Sequence, residues 1–190
     1  MHYGKRTALA IVVALAVTAV ATAQPYFGAR VPIGYVTADV ENLDEDRFVT
    51  GIEGVGGLAF GNTALEAKVG FVSHVYSVEF LGETVSAYLN YTRFALLGKL
   101  QPAGPLYLGA GVEFSYLVGA GVSTDGASYD QQIDAQDGPI FLALEGGLAL
   151  PFGPNLTLPI GAFFNFAVGN IPDDSQLIEL GIKAGLTYSY

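Results

Sequence analysis

Hydrophobic residues recur at every second position through much of this chain. From Leu106 to Val118 the apolar set Leu106, Leu108, Ala110, Val112, Phe114, Tyr116 and Val118 alternates with Tyr107, Gly109, Gly111, Glu113 and Ser115. The same period sets Ile140, Leu142, Leu144, Leu148 and Leu150 against Phe141, Ala143, Glu145 and Gly147. It returns in Leu156, Leu158, Ile160, Ala162, Phe164, Phe166 and Val168, and closes with Ile178, Leu180, Ile182, Ala184, Leu186, Tyr188 and Tyr190. Successive side chains of a strand point to opposite faces, so each run predicts a strand with one greasy side and one small or ionic side. Carried through the less regular first half, the pattern predicts eight strands, at 26–40, 47–60, 64–76, 84–101, 106–119, 139–150, 156–169 and 176–190.

The breaks between these runs fall into two kinds. Gly61-Asn62-Thr63, the stretch Pro102 to Pro105 and the stretch Pro151 to Asn155 carry tight-turn residues. Segments 41–46, 77–83, 120–138 and 170–175 are mostly longer and acidic. Alternating short and long connections with an even strand count predict an all-β fold: an eight-stranded antiparallel up-and-down transmembrane β-barrel with both termini on the tight-turn side. Each run reaches the about 9–11 residues that a tilted spanning strand needs. Aromatics gather at both ends, with Phe114, Tyr116, Phe164 and Phe166 at one and Phe60, Phe152, Tyr188 and Tyr190 at the other, as two interfacial girdles would. Three features predict irregularities. Pro32 and Pro159 suggest bulges or strand starts near the tight-turn rim. A change of parity near Thr92 and Arg93 suggests a bulge in strand four. Gly54 and Gly56 weaken strand two.

Composition adds a compartment. Lys5 and Arg6 precede an apolar run from Ala8 to Val20, and Ala21-Thr22-Ala23 follows as a small-x-small site. This reads as a signal peptide over residues 1–23, cleaved between Ala23 and Gln24, with residues 24–190 as the barrel domain. Its apolar core of about 13 residues is short of the about 20 that a spanning helix requires. Although 51% of the chain is hydrophobic, every later apolar stretch is interrupted by charge or turn residues. There is no Cys, so no disulfide holds the fold in an exported setting. The mature segment sets six Lys and Arg against 18 Asp and Glu, which argues against nucleic acid as a partner.

The terminal run Lys183-x-Gly185-x-x-Tyr188-x-Tyr190, and the hairpin from Leu96 to Tyr116, resemble the small eight-stranded outer-membrane barrels of the OmpA/OmpX type. The resemblance covers the mature chain by pattern more than by motif. It implies a monomer among outer-membrane lipids of a Gram-negative-type bacterium, with both termini periplasmic. It also implies delivery by periplasmic chaperones to the barrel-assembly machinery, with Lys183, Gly185, Tyr188 and Tyr190 as the assembly signal. Members of the family serve as anchors, adhesins and small pores, and a few modify lipids.

The inward faces carry the chemistry. Glu53, Glu66, Glu113, Glu145 and Glu179 face Arg30, Lys68, Lys99 and Lys183, while the orientation of Arg93 depends on the suspected bulge. Eight strands leave an interior that side chains can fill, and charges in such an interior must be paired. The nine residues are therefore expected to form a lumen charge network that plugs the barrel. The alternative is an ion path through the same groups, a narrow passive channel. Near-balance of charge and the bulky inward Tyr107, Phe141 and Phe163 favour the plug.

Twelve acids lie in the segments expected outside: Glu41, Asp44, Glu45, Asp46, Glu79, Glu83, Asp125, Asp130, Asp134, Asp137, Asp173 and Asp174. They read as a solvated acidic surface. Clustered carboxylates also suit divalent cations, but the EF-hand spacing is absent and no metal site or cofactor is expected. Catalysis would centre on His74, the one His of the mature segment. Ser73 and Ser77 flank it, but parity turns Ser73 outward, and Tyr76 stands where the H-x-S arrangement of lipid-A deacylases requires Ser. A lone His without a nucleophile and acid at the same depth reads as a hydrogen-bonded filler, so no catalytic residue and no enzyme activity is expected.

Overall fold

The computed structural model describes residues 23–38, 46–80, 83–124, 127–169 and 176–190. Along these segments run eight strands: β1 Gln24–Ala38, β2 Asp46–Phe60, β3 Thr63–Phe80, β4 Glu83–Leu100, β5 Leu106–Thr124, β6 Ala127–Pro151, β7 Leu156–Gly169 and β8 Leu177–Ser189. Each pairs antiparallel with its sequence neighbours, and β1 pairs with β8, so the sheet closes on itself. Closure removes the free edges of a sheet, and here it also settles which face is which. Residues of the predicted greasy faces, among them Phe27, Ile33, Ile52, Phe71, Leu96, Leu108, Leu144 and Ile182, stand exposed around the whole circumference. An apolar band of this extent lies far beyond the few hundred Å² that a water-soluble monomer exposes.

The tight connections all lie at one end. Gly61 and Gly104 adopt positive φ values of 62° and 54°, which a residue with a side chain enters at a cost. At this end Phe27, Tyr188 and Tyr190 form an aromatic trio with ring centroids 5.3–5.8 Å apart. Tyr35 with Phe48 marks the other end, at 5.1 Å, and Phe94 with Tyr116 pairs midway along β4 and β5, at 6.2 Å.

Several sequence expectations need correction. The segments at 77–83 and 120–138, expected as loops, are largely strand: β3 and β4 pair up to Phe80 with Glu83, and β5 and β6 pair up to Thr124 with Ala127. The missed signal is Asp125-Gly126, a dipeptide suited to a two-residue hairpin connection. Because β7 pairs with β6 only as far as Gly169 with Ile140, the far part of the β5–β6 hairpin stands clear of β7. The bulge expected in β4 is elsewhere. The β3–β4 register runs unbroken, and β5 takes the extra residue at Val118, opposite the Asn90–Tyr91 step. Nor do the prolines make bulges or begin strands. Beside Pro32 and Pro159 the pairing to β2 and β8 respectively lapses and resumes in the same register, as loss of a single N–H allows. Pro32 lies well inside β1, not at its rim. Strand β2 pairs continuously with β3 despite Gly54 and Gly56. Asp39, Glu41, Asp44, Glu45, Asp125, Asp173, Asp174 and the signal segment 1–22 lie outside the described residues.

Candidate functional site: an ion-paired lumen

Alternation delivers the ionic residues to the axis. Arg30, Glu53, Glu66, Lys68, Glu113, Glu145, Glu179 and Lys183 are buried, and Lys99 points inward with 9% of its side chain exposed. Arg93 joins them, 4% exposed, on the same face of β4 as Tyr91, Ala95 and Leu97. The sequence left Arg93 undecided only because it placed the bulge on the wrong strand. With Arg93 included, five carboxylates meet five permanent cations in the interior.

These groups form three clusters along the axis. Nearest the tight turns, Arg30 grips Glu66 with two parallel bonds, Nη1 to Oε1 at 2.8 Å and Nη2 to Oε2 at 2.7 Å. Lys99 Nζ lies 2.8 Å from Glu66 Oε1 and 2.6 Å from Glu145 Oε1, and Lys68 Nζ donates to Glu145 at 2.5 Å. The Tyr26 hydroxyl completes Glu66 at 2.9 Å. Next, Lys183 Nζ lies 3.0 and 3.2 Å from the two oxygens of Glu53. Deepest is Arg93, whose Nη1 bonds Glu113 and Glu179 at 2.8 Å each and whose Nη2 bonds Glu179 at 2.5 Å. Glu179, with no exposed surface, also accepts from Asn165 at 3.0 Å and lies 2.7 Å from His74 Nε2.

Aromatic faces and an apolar seal complete the interior. Arg93 stacks over Phe141 at 5.2 Å, Lys99 over Tyr107 at 5.0 Å and Lys183 over Phe163 at 4.8 Å. Such contacts are worth about 2 kcal/mol or more when desolvated, so the bulky inward rings hold cations as well as fill space. Room for Tyr107 comes from Gly161, where an added Cβ would stand 2.5 Å from its hydroxyl. Val36, Val49, Val72, Phe141, Phe163, Ala167 and Leu177 pack into one buried cluster around the deep ionic group. At the tight-turn end the lumen instead opens into a cavity of about 270 Å³ that reaches Arg30, Glu66, Lys99 and Tyr107. The sequence reading also passed over Arg47, buried near the opposite end with its guanidinium 5.8 Å from the Tyr76 ring.

The candidate catalytic group is drawn into the same network. His74 is buried; its Nε2 faces Glu179, and its Nδ1 lies 3.4 Å from the Tyr76 hydroxyl. Ser73 Oγ is engaged 2.5 Å from Asn90 Oδ1, and Ser77 Oγ lies 2.9 Å from Ser86 Oγ. Among the described residues, no group of three or more His, Cys, Asp or Glu is placed to hold a metal ion. Of the proposed assembly residues, Lys183 belongs to the lumen, while Tyr188 and Tyr190 sit in the aromatic trio. Gly185 lies where an added Cβ would meet Ala29 O, so packing against β1 already accounts for this glycine. Ala23 and Gln24 stand at the start of β1, beside the end of β8.

No family model matches the sequence, and no curated protein does so either. Solved structures do. The chain is similar to Neisserial surface protein A, with a TM-score of 0.56 and 15% identity over 87% of this chain and 97% of that one. It is also similar to the outer membrane protein OprG from Pseudomonas aeruginosa, with a TM-score of 0.51 and 13% identity over 88% of this chain and 96% of that one. At such identities the likeness concerns the fold: this chain is a closed eight-stranded barrel and shares the fold of these outer-membrane proteins.

Proposed function

We propose that the mature chain is a monomeric, non-enzymatic barrel of the outer membrane whose lumen is closed by ion pairs. Its role is to stabilise the envelope or to present an acidic outer surface to partners. The single observation that carries this reading is the interior: five carboxylates and five cations, each within bonding distance of an opposite charge, beside a sealed apolar cluster. Groups satisfied in this way leave an ion little to bind on its way through. The apolar outer band and the two sets of aromatics support insertion in a bilayer. Export by residues 1–23, cleavage after Ala23, assembly through the C-terminal aromatic motif and a periplasmic tight-turn end belong to the same proposal. Engagement of His74 by Glu179, and of Ser73 and Ser77 by other partners, supports the absence of catalysis.

The test is conductance. Refolded mature protein, verified by heat-modifiable gel mobility, is expected to give no discrete current steps in a planar bilayer. Reproducible steps that vanish on substitution of Glu113 or Lys183 would establish the narrow channel instead. The open cavity at one end is the feature favouring that second reading. A lipid-A modification assay comparing wild type with His74→Ala addresses the enzyme class; a lipid change dependent on His74 would overturn the proposal.

A further inference from the structure

The ionic groups are balanced over the whole lumen but not along it. In the half nearest the tight turns, the ion pairs join Arg30, Lys68, Lys99 and Lys183 to Glu53, Glu66 and Glu145, and Lys183 also interacts electrostatically with Glu113 of the deep cluster. In the deep half, Arg93 forms the ion pairs to Glu113 and Glu179. The tight-turn half lines its mouth with two cations, Arg30 and Lys99, against one carboxylate, Glu66. It is also the half that opens to the outside of the barrel, through the cavity of about 270 Å³. The three tight connections, at 61–62, 101–105 and 152–155, contain no charged residue that could offset the second cation.

Two cationic donors at this cavity remain underused. Arg30 spends its Nη atoms on Glu66 and Glu145, while its Nε, like the Nε of Arg93 in the deep cluster, is buried and has no hydrogen-bond partner among the described residues. A buried, unpaired N–H on a charged group is costly, and native structures seldom leave one without an acceptor. Lys99 carries three N–H donors and lies in ion-pair distance of two carboxylates, Glu66 and Glu145. Around the same cavity, Gln24, Asn62, Gln101, Thr157 and Ser189 supply neutral amides and hydroxyls, while the hydroxyls of Thr63 and Thr187 donate to Phe60 O and Thr157 O. Surplus cationic donors ringed by neutral donors suit an oxyanion, which accepts from several sides.

From this arrangement we infer that the tight-turn mouth of the barrel is a binding site for a small oxyanion, a carboxylate- or phosphate-bearing solute. The cavity falls below the about 300–1,000 Å³ usual for sites of drug-sized ligands, so the solute has few heavy atoms. The mouth lies on the barrel axis and not on the apolar band, so the solute arrives from the aqueous phase and not as a lipid headgroup. If the mouth faces the periplasm, as proposed above, the solute is periplasmic. Binding itself requires only the folded barrel.

The test uses the refolded mature protein in zwitterionic detergent micelles, titrated with inorganic phosphate at constant ionic strength and followed by amide chemical shifts. Saturable shifts confined to the tight-turn end are expected. Acetate should compete for the site, whereas equimolar chloride should not. Lys99→Gln is expected to weaken binding at least tenfold. Ala149→Trp, which fills the mouth without removing any ion pair, is expected to abolish it, and Asp137→Asn at the far end should leave it unchanged. If Lys99→Gln fails the gel-mobility check for folding, Ala149→Trp decides. Shifts that do not saturate, that chloride reproduces, or that survive Ala149→Trp would overturn the inference. Vesicles of anionic phospholipid producing the same shifts without added phosphate would overturn its aqueous source. Conductance is read separately, so a conducting lumen would refute the closed barrel while leaving the anion site to these titrations.

Discussion

The two ends of the lumen use the same chemistry at similar burial, with Glu66 and Glu179 alike having no exposed surface, but only the tight-turn end borders an open cavity. At the tight-turn end, Glu66 and Glu145 are shared among Arg30, Lys68 and Lys99 at the edge of an open cavity. In the deep cluster, Glu179 is held by Arg93, His74 and Asn165 beside the ring of Phe141, and neither Glu179 nor Phe141 has exposed surface. Loss of one partner near the mouth can be made good by water and by the remaining cations. Loss of one in the deep cluster strands a desolvated charge. Number of ion pairs is thus a poor guide to their importance here, and access of solvent is a better one.

The sharpest way to break this comparison is Glu179→Ala. It leaves Arg93 with Glu113 alone in a sealed site and is expected to cost about 3–5 kcal/mol, measured as a drop in urea midpoint of the lipid-refolded barrel. A loss no larger than that of Lys99→Met would mean the two clusters are equivalent. Phe141→Ala comes next. Truncating a fully buried ring is expected to cost about 3 kcal/mol. It should also let water reach Arg93, so that Glu179→Ala costs less in the Phe141→Ala background than alone; strict additivity in the double-mutant cycle would argue against a seal. Lys99→Met is expected to cost about 1 kcal/mol, because Glu66 keeps Arg30 and Glu145 keeps Lys68. The smallest effect concerns salt. Raising ionic strength is expected to shrink the Lys99→Met deficit by about 0.5 kcal/mol, while the Glu179→Ala deficit stays constant, since counterions reach only the open end. Equal salt dependence for the two variants would erase the distinction.

Within the lipid-facing band the fold was legible residue by residue, and above it was not. From Leu106 to Tyr116, β5 has hydrocarbon-suited side chains on one face only, and this binary pattern names both the strand and its register. From Ser128 to Asp137, β6 continues as strand through Ser, Asp and Gln. Only Tyr129, Ile133 and Ala135 alternate with its polar residues, a weaker pattern than that of the apolar runs, and Asp125-Gly126 was the other local signal. The site shows the same division. Parity was enough to send Glu66, Glu145 and Lys183 inward. It did not place Arg93, because the pairing that shows β4 running unbroken and puts the extra residue at Val118 of β5 is visible in neither strand alone.

The amino-acid order alone determined that the chain forms alternating strands, that these close around an ionic interior, and which face meets hydrocarbon. Those properties depend on side-chain parity and turn chemistry, and both are local. Which carboxylate meets which cation, where the register slips, and which end of the lumen is sealed were decided only by closure of the sheet. Arg30 and Glu145, Lys183 and Glu53, or Glu179 and Arg93 are remote in the chain and share no local pattern. They meet because the stagger of eight paired strands brings them to one level, where leaving any of them without a partner would cost several kcal/mol.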